Sequence, residues 1–501
     1  MKKTITLLFA TFIIVNISNA QIFLQTGIDL DGEAALDYSG VSVSMPDINT
    51  IAIGATHNNG NGNSAGHVRI YRWNPSNGRM WGQKGIDIDG EAPGDYSGWS
   101  VSMPDSNTVA IGTPYNNGNG FQSGHVRIYR WNPANGGTWV QKGTDINSEA
   151  TGDGSGWSVS MPDSNTIAIG APFNDGNGTN AGHVRIYIWN PANGGTWAQK
   201  GSDIDGETTH DWSGRSVSMP DSNTVAIGTP YNNGNGISAG HVRIYHWNPV
   251  NGGTWMQKGI DIDGDSIYSL SGTSVSMPNS NTIAIGGTGN GNFGGYVRIY
   301  SWNGSAWVQK GIDIDGEALG DNSGYSVCMP DSNFIGIGAI LNNGNGIESG
   351  HVRIYRWNGS AWVQKGSDID GEAASDNSGF SVSMPDSNTV AIGAYLNDGN
   401  EISSGHTRVY SIINYMGVLE NNFGNTLTVY PNPTNGELNI DLGSNYNNVS
   451  VSVSNVLGQI VHTKNFSNSS LLQLNIPGEV GVYFIEVKSG DKKAILKVMK
   501  K

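Results

Sequence analysis

A single cysteine, Cys328, is all that the 501-residue chain contains, so no disulfide can close within it and an exported form must be held by burial alone. Positive charge is also scarce: 27 Lys and Arg stand against 42 Asp and Glu, a net charge of −15. Such an acidic balance argues against nucleic acid and anionic membrane as partners. Past the N-terminal segment no apolar run approaches the roughly 20 residues that cross a bilayer, so no membrane span is expected. Helix-favouring composition is poor, whereas Gly, Asn, Ser, Thr, Val, Ile and Trp are plentiful. That mixture suits short strands joined by tight turns, and the expected class is all-β.

The first residues, MKKTITLLFATFIIVNISNA, place Lys2 and Lys3 before an apolar run from Ile5 to Val15 and end in small residues at Ala20. This is the anatomy of a secretory signal peptide, so residues 1–20 are set aside from the fold and the exported chain is expected to begin at Gln21. Beyond Ala20 the chain is repetitive. An SMP or CMP triplet places Met at 45, 103, 161, 219, 277, 329 and 384. Each unit reads as four strands, typified by GWSVSMP, NTVAIGTP, GHVRIYRW and TWVQKG, bounded by Gly, Pro, Asn or Asp. Four short strands in each 50- to 60-residue unit predict the blades of a β-propeller. Immediately after Gln21 stands IFLQTGIDLDGE, which aligns with the fourth strand WVQKGIDIDGE, while the seventh unit stops after its third strand, GHTRVYS. The orphan strand and the missing one are complementary, so the expected ring has seven blades and is closed by its own N-terminal strand.

Trp recurs on both sides of one turn in six units, as in Trp131 and Trp139, and is expected to pack between blades. A His opens the third strand in six units (His67, His125, His183, His241, His351, His406). Equivalent positions on adjacent packed sheets lie about 10 Å apart, so these rings are not expected to share one metal. The loops that leave the fourth strand carry most of the acid, as in Asp87, Asp89, Glu91 and Asp95, or Asp313, Asp315, Glu317 and Asp321. Two arrangements would offset that charge. In one, the third-strand arginines and the lysines that end the fourth strand lie near the same rim and pair with it, with Asx turns inside the loops. In the other, the oxygens of one loop hold Ca²⁺, although the spacing is not that of the twelve-residue helix-flanked loop. Departures from the repeat gather at His210, Trp212 and Arg215 and, one unit on, at Tyr268, a candidate groove for a sugar or peptide.

Gly98-Trp99-Ser100-Val101-Ser102, AIGAP at 168–172 and the GHVRIY strand resemble the FG-GAP repeat of integrin α-chain propellers and bacterial surface proteins. That resemblance covers residues 21–411 and implies a binding or adhesion scaffold. Residues 412–424 read as a linker. Residues 425–501 alternate in strand fashion, as in a small β-sandwich. Tyr430-Pro431-Asn432-Pro433, Asn435-Gly436, Gly458, Gly481-Val482-Tyr483-Phe484 and a terminal basic run make this tail similar to the C-terminal sorting domain of the Bacteroidetes type IX secretion system. The resemblance implies the secretion machinery as a partner, and an extracellular or outer-membrane surface location. The expected function is therefore binding of an extracellular glycan or protein by a propeller without catalysis. The alternatives are a polysaccharide-active enzyme on the same ring or a ligand-free surface-layer component. No cofactor is required by the sequence; calcium is the one considered.

Overall fold

The computed structural model describes residues 22–74, 80–289, 293–413, 418–421, 423, 427–455, 458–490 and 492–501. The signal-peptide segment lies outside the described residues. Two compact units result, one of Phe23–Ile412 and a second that holds the described residues from Ile413 onward.

Seven antiparallel sheets follow one another along the first unit. Blade 2 is typical: Ser100–Asp105, Thr108–Thr113, His125–Asn132 and Thr138–Gln141 pair in that order. The expected fourth strand is interrupted. After Lys142 the chain bends, then resumes as Ile146–Asn147, which pairs with the N-terminal end of the third strand at Val126 and His125. Thr108–Thr113 is wholly buried, as expected for an interior strand covered on both faces. Cores form between blades: Ala52, Val68 and Ile70 of blade 1 pack with Met103, Val109, Ile111 and Trp139 of blade 2.

The tryptophans do join blades. Trp131 and Trp139 are cross-strand partners with ring centroids 5.3 Å apart, and the Trp139 indole N–H donates to Lys84 O of the preceding blade at 2.7 Å. The same bond recurs from Trp81, Trp197, Trp255, Trp307 and Trp362. A Cβ on Gly85, whose φ is +85°, would lie 2.8 Å from the Trp131 ring, so this corner is open to glycine only.

Closure is made as expected. Ile22–Gln25 pairs with the third strand of blade 7, His406–Ile413, and Leu30 and Asp31 pair with Thr407 and His406. Thr26 N–H donates to Val409 O at 2.7 Å. On the innermost strands a second closure runs through hydroxyls: Ser42 Oγ donates to Gly98 O, Ser100 to Gly156, and so on until Ser381 Oγ donates to Gly40 O at 2.7 Å.

The second unit is one six-stranded sheet. Its longest strand, Glu437–Asn455, slips register between Asp441 and Tyr446 against Ile460–Asn475, and the sheet curls about Leu438, Ile440, Val451, Ile485 and Leu496.

Two outcomes are expected. A chain beginning at Gly27 exposes the outer edge of His406–Ile413, an unpaired strand edge that invites association; calorimetry should show a lower Tm and gel filtration a shift to oligomers. Trp139→Phe keeps the packing but orphans the Lys84 carbonyl, and urea unfolding should show a loss of about 1–3 kcal/mol.

Candidate functional site

The loops joining second to third strands and those leaving the fourth strand meet at one end of the blades and interleave. The closing Asp of six of the seven acidic loops is buried and structural, and Ser269 takes its place in the other. Asp95, fully buried, accepts the Ala92 N–H and the Asn116 side-chain amide, both at 3.0 Å. Asp321 accepts Ala318 N–H at 2.8 Å and the Asn342 amide at 3.2 Å. The other acids of a loop part company. Asp87 accepts from Gln83 at 2.6 Å and faces His67 of its own blade at 3.5 Å. The Asp89 side chain is exposed, while its carbonyl accepts from Arg127 at 2.6 Å. Glu91 reaches forward to Arg127 of the next blade, 3.7 Å away. In the later loop, Asp313 takes Arg298, the exposed Asp315 offers its carbonyl to Arg353, and Glu317 lies 3.6 Å from Arg353.

Asp87, Asp89, Glu91 and Asp95, and likewise Asp313, Asp315, Glu317 and Asp321, are thus not gathered at one point: a single loop disperses its carboxylates among three environments. Strict repetition hides this, because each loop bridges two blades. The arginines do offset the rim, since Arg69, Arg185, Arg243 and Arg408 also meet the glutamate of the preceding loop at 3.4–3.6 Å. The lysines do not. Lys142 Nζ reaches Ser164 O at 2.5 Å and Asn165 Oδ1 at 2.8 Å, in the turn between first and second strands at the far end of the next blade, and it lies over the Trp189 and Trp197 rings at 4.8 and 5.1 Å.

What the structure does gather is a buried His between acids of two loops. His125 Nδ1 lies 3.7 Å from Asp145 and 3.9 Å from Glu91; Glu33–His67–Asp87 and Glu207–His241–Asp261 are further such sets, and His406 lies between Asp29 and Glu372. Burial, reinforced by the adjacent arginine, pushes the imidazoles of His125, His183, His241, His351 and His406 down to about 4. They are neutral at neutral pH, so these contacts are not salt bridges.

The inner strands enclose a second site. One residue from each blade, at the variable position of the motif Ser-Gly-x-Ser, lines a central channel of about 250 Å³: Val41, Trp99, Trp157, Arg215, Thr273, Tyr325 and Phe380. Trp99 and Trp157 lie 4.7 Å apart, the Arg215 guanidinium sits 5.3 Å over Trp157, and the buried Trp157 N–H has no hydrogen-bond partner. Further rings extend outward: Trp157 meets Phe173 at 5.1 Å, Phe173 meets Trp212 at 4.9 Å, and Trp212 meets Tyr231 at 4.5 Å.

Of the four residues expected to form a groove, Arg215 lines the channel and Trp212 belongs to the aromatic belt, while His210 and Tyr268 are exposed on neighbouring loops. Trp99, Trp157, Tyr325 and Phe380 were missed. The signal for them is a position that takes six residue types in seven units while its flanks stay nearly fixed.

The family described as the secretion system C-terminal sorting domain matches residues 428–501, and that described as the FG-GAP repeat matches residues 147–187. No curated protein matches the chain. Among solved structures it is similar to PorZ of Porphyromonas gingivalis, described as an essential surface component of the type-IX secretion system, at 14% identity over 96% of this chain and 75% of that one, with a TM-score of 0.25. Sqt1 of Chaetomium thermophilum is 14% identical over 84% of this chain and 97% of that one, with a TM-score of 0.42. The propeller domain of the trilobed protease of Pyrococcus furiosus is 11% identical over 75% and 91%, with a TM-score of 0.36. The chain is a secreted surface β-propeller with an FG-GAP repeat, exported by a type IX secretion system through the sorting domain at 428–501.

Proposed function

We propose that the propeller binds an extracellular glycan at the aromatic mouth of its channel. One observation carries this reading: the seven near-identical units carry six different residue types at the channel position, and four of the seven residues there are aromatic. In ring order, bulky Trp99, Trp157 and Arg215 face bulky Tyr325 and Phe380, while small Val41 and Thr273 separate the two walls. That order makes a slot with flat apolar faces on both sides. Aromatic faces suit the apolar face of a sugar ring, and the Arg215 guanidinium suits its hydroxyls. At about 250 Å³ the channel is below the roughly 300–1,000 Å³ of sites for drug-sized ligands, so it fits one sugar unit at a chain end.

A polysaccharide-active enzyme on this ring would need two carboxyl groups flanking the scissile bond. Among the described residues that line the channel none is acidic, which favours binding. The acidic rim supports a neutral or basic glycan over a polyanionic one.

On a glycan array the exported protein should bind a restricted set of neutral or amino sugars, and Trp157→Ala or Arg215→Ala should weaken that binding at least tenfold with little change in Tm. Absence of binding to any glycan by the folded protein would refute the reading, and release of products would show the enzyme instead. A chain ended at Leu427 should stay in the periplasm on cell fractionation, whereas the full chain reaches the surface or the medium.

A further inference from the structure

At six of the seven blade junctions a His that opens the third strand is held against two carboxylates that arrive on different loops. In the first, His67 Nδ1 lies 3.5 Å from Asp87 and 4.0 Å from Glu33. At the ring closure, His406 Nδ1 lies 3.7 Å from Asp29 and 3.8 Å from Glu372. Both imidazoles are at least 99% buried, and neither nitrogen of either ring has a hydrogen-bond partner. A buried imidazole with both nitrogens unsatisfied is costly. The separations exceed the roughly 2.7–3.2 Å of an ordinary hydrogen bond. They approach the spacing of about 3.4 Å between two ligands that each lie about 2.0–2.2 Å from one tetrahedral ion.

The seventh junction is an internal control. There Tyr296 stands where the others have His, and Asp265 where they have Glu. Arg298 then turns into the gap: its guanidinium bonds Asp313 at 2.8 Å and also bonds Asp265. Elsewhere the matching arginine lies over a tyrosine ring and meets the outer glutamate oxygen and a backbone carbonyl, as Arg69 does with Tyr71, Glu33 and Asp31 O. Where the imidazole is missing, a built-in cation spans the two carboxylates.

We propose that each of the six His–Glu–Asp sets binds one divalent first-row transition cation of the zinc class, fastening one blade's exit loop to the next blade. One imidazole nitrogen and two carboxylate oxygens suit such an ion better than calcium, which takes six to eight oxygens. Since Glu33 is 46% exposed, the remaining coordination positions open to solvent, where water or a ligand atom completes the shell. At the closure the ion joins Asp29, just beyond the first strand, to Glu372 and His406 of the last blade.

The test uses the full exported chain, stripped with a chelator and titrated with ZnCl₂ by calorimetry, with metal analysis after gel filtration. About six equivalents should bind, one per set, with a rise in Tm, and CaCl₂ should do neither. A variant that copies the seventh junction at three others (His125→Tyr with Glu91→Asp, His183→Tyr with Glu149→Asp, His241→Tyr with Glu207→Asp) keeps a folded, arginine-bridged arrangement and should halve the zinc bound. No zinc binding, or a zinc content unchanged in that variant, overturns the proposal, as does calcium binding in place of zinc.

Discussion

The ring depends on a polar edge that each inner strand turns toward its successor. Along Ser42-Val43-Ser44 the side chains alternate, so the two serines share one face. Ser42 Oγ donates to Gly98 O, and Ser44 Oγ accepts the Met103 N–H at 2.9 Å. Val43 packs instead with the cluster that joins blades 7 and 1. Every blade thus offers hydrogen bonds forward and apolar surface backward, a directional head-to-tail contact that here repeats until Ser381 Oγ meets Gly40 O and the ring closes. The close approach it requires leaves no room for a side chain beside the donor serine: a Cβ on Gly54, on the second strand of the same blade, would lie 2.1 Å from Gly98 O. Where Cys328 replaces the second serine, its sulfur still accepts the Met384 N–H at 3.2 Å. The acceptor function, more than the hydroxyl, is what that position needs.

This inner frame separates charge along each blade. The outer strand breaks after Lys142, so its lysine stem turns back along the tryptophans and carries Nζ to the far turn, while the next residues continue to the acidic end. A long aliphatic stem laid over indole rings is a usual way for lysine to cover apolar surface. The acidic end must then be offset by arginines and by whatever fills the histidine sets. Exposed ion pairs of the Arg–Glu kind contribute little on their own, and the imidazoles of His125, His183, His241, His351 and His406 are neutral at neutral pH. Much of the negative charge at that end therefore remains available to a cation.

The repeat, the seven-blade count and the closing strand were legible because each follows from spacing and from the mismatch between the two ends of the array. The inter-blade role of Trp139 was legible because large aromatics at fixed register seldom do anything else. The lysine direction was not: a strand break after Lys142 and Gly143 looks in sequence like the end of a strand, and nothing local says which way the stem turns. The fate of Asp87, Glu91 and Asp95 was hidden for a different reason. Neighbours in one loop look like one ligand set, but Glu91 is drawn forward by Arg127 and Asp95 inward by Asn116. Partners that stand 21 or 36 residues away, on a loop or strand of the next blade, decide where each carboxylate goes.

The same frame explains where recognition can arise in so regular a molecule. Ser97 is fixed by its N–H bond to Ala65 O of the neighbouring blade, Gly98 by its N–H bond to Gly112 O and by the Ser42 hydroxyl it accepts, and Ser100 by its bond to Gly156. Trp99, between them, projects into the channel and meets no such demand. Seven identical residues there would form a sevenfold cup, and a ligand without sevenfold symmetry would match only a few of them. Replacing the cup with two bulky walls parted by Val41 and Thr273 lowers that symmetry at no cost to the blade contacts, since none of these side chains makes the inter-blade hydrogen bonds. Variation confined to this position can therefore change what the channel accepts without changing how the ring is held, which is why the mouth, and not the more heavily charged rim, is the natural place for ligand specificity.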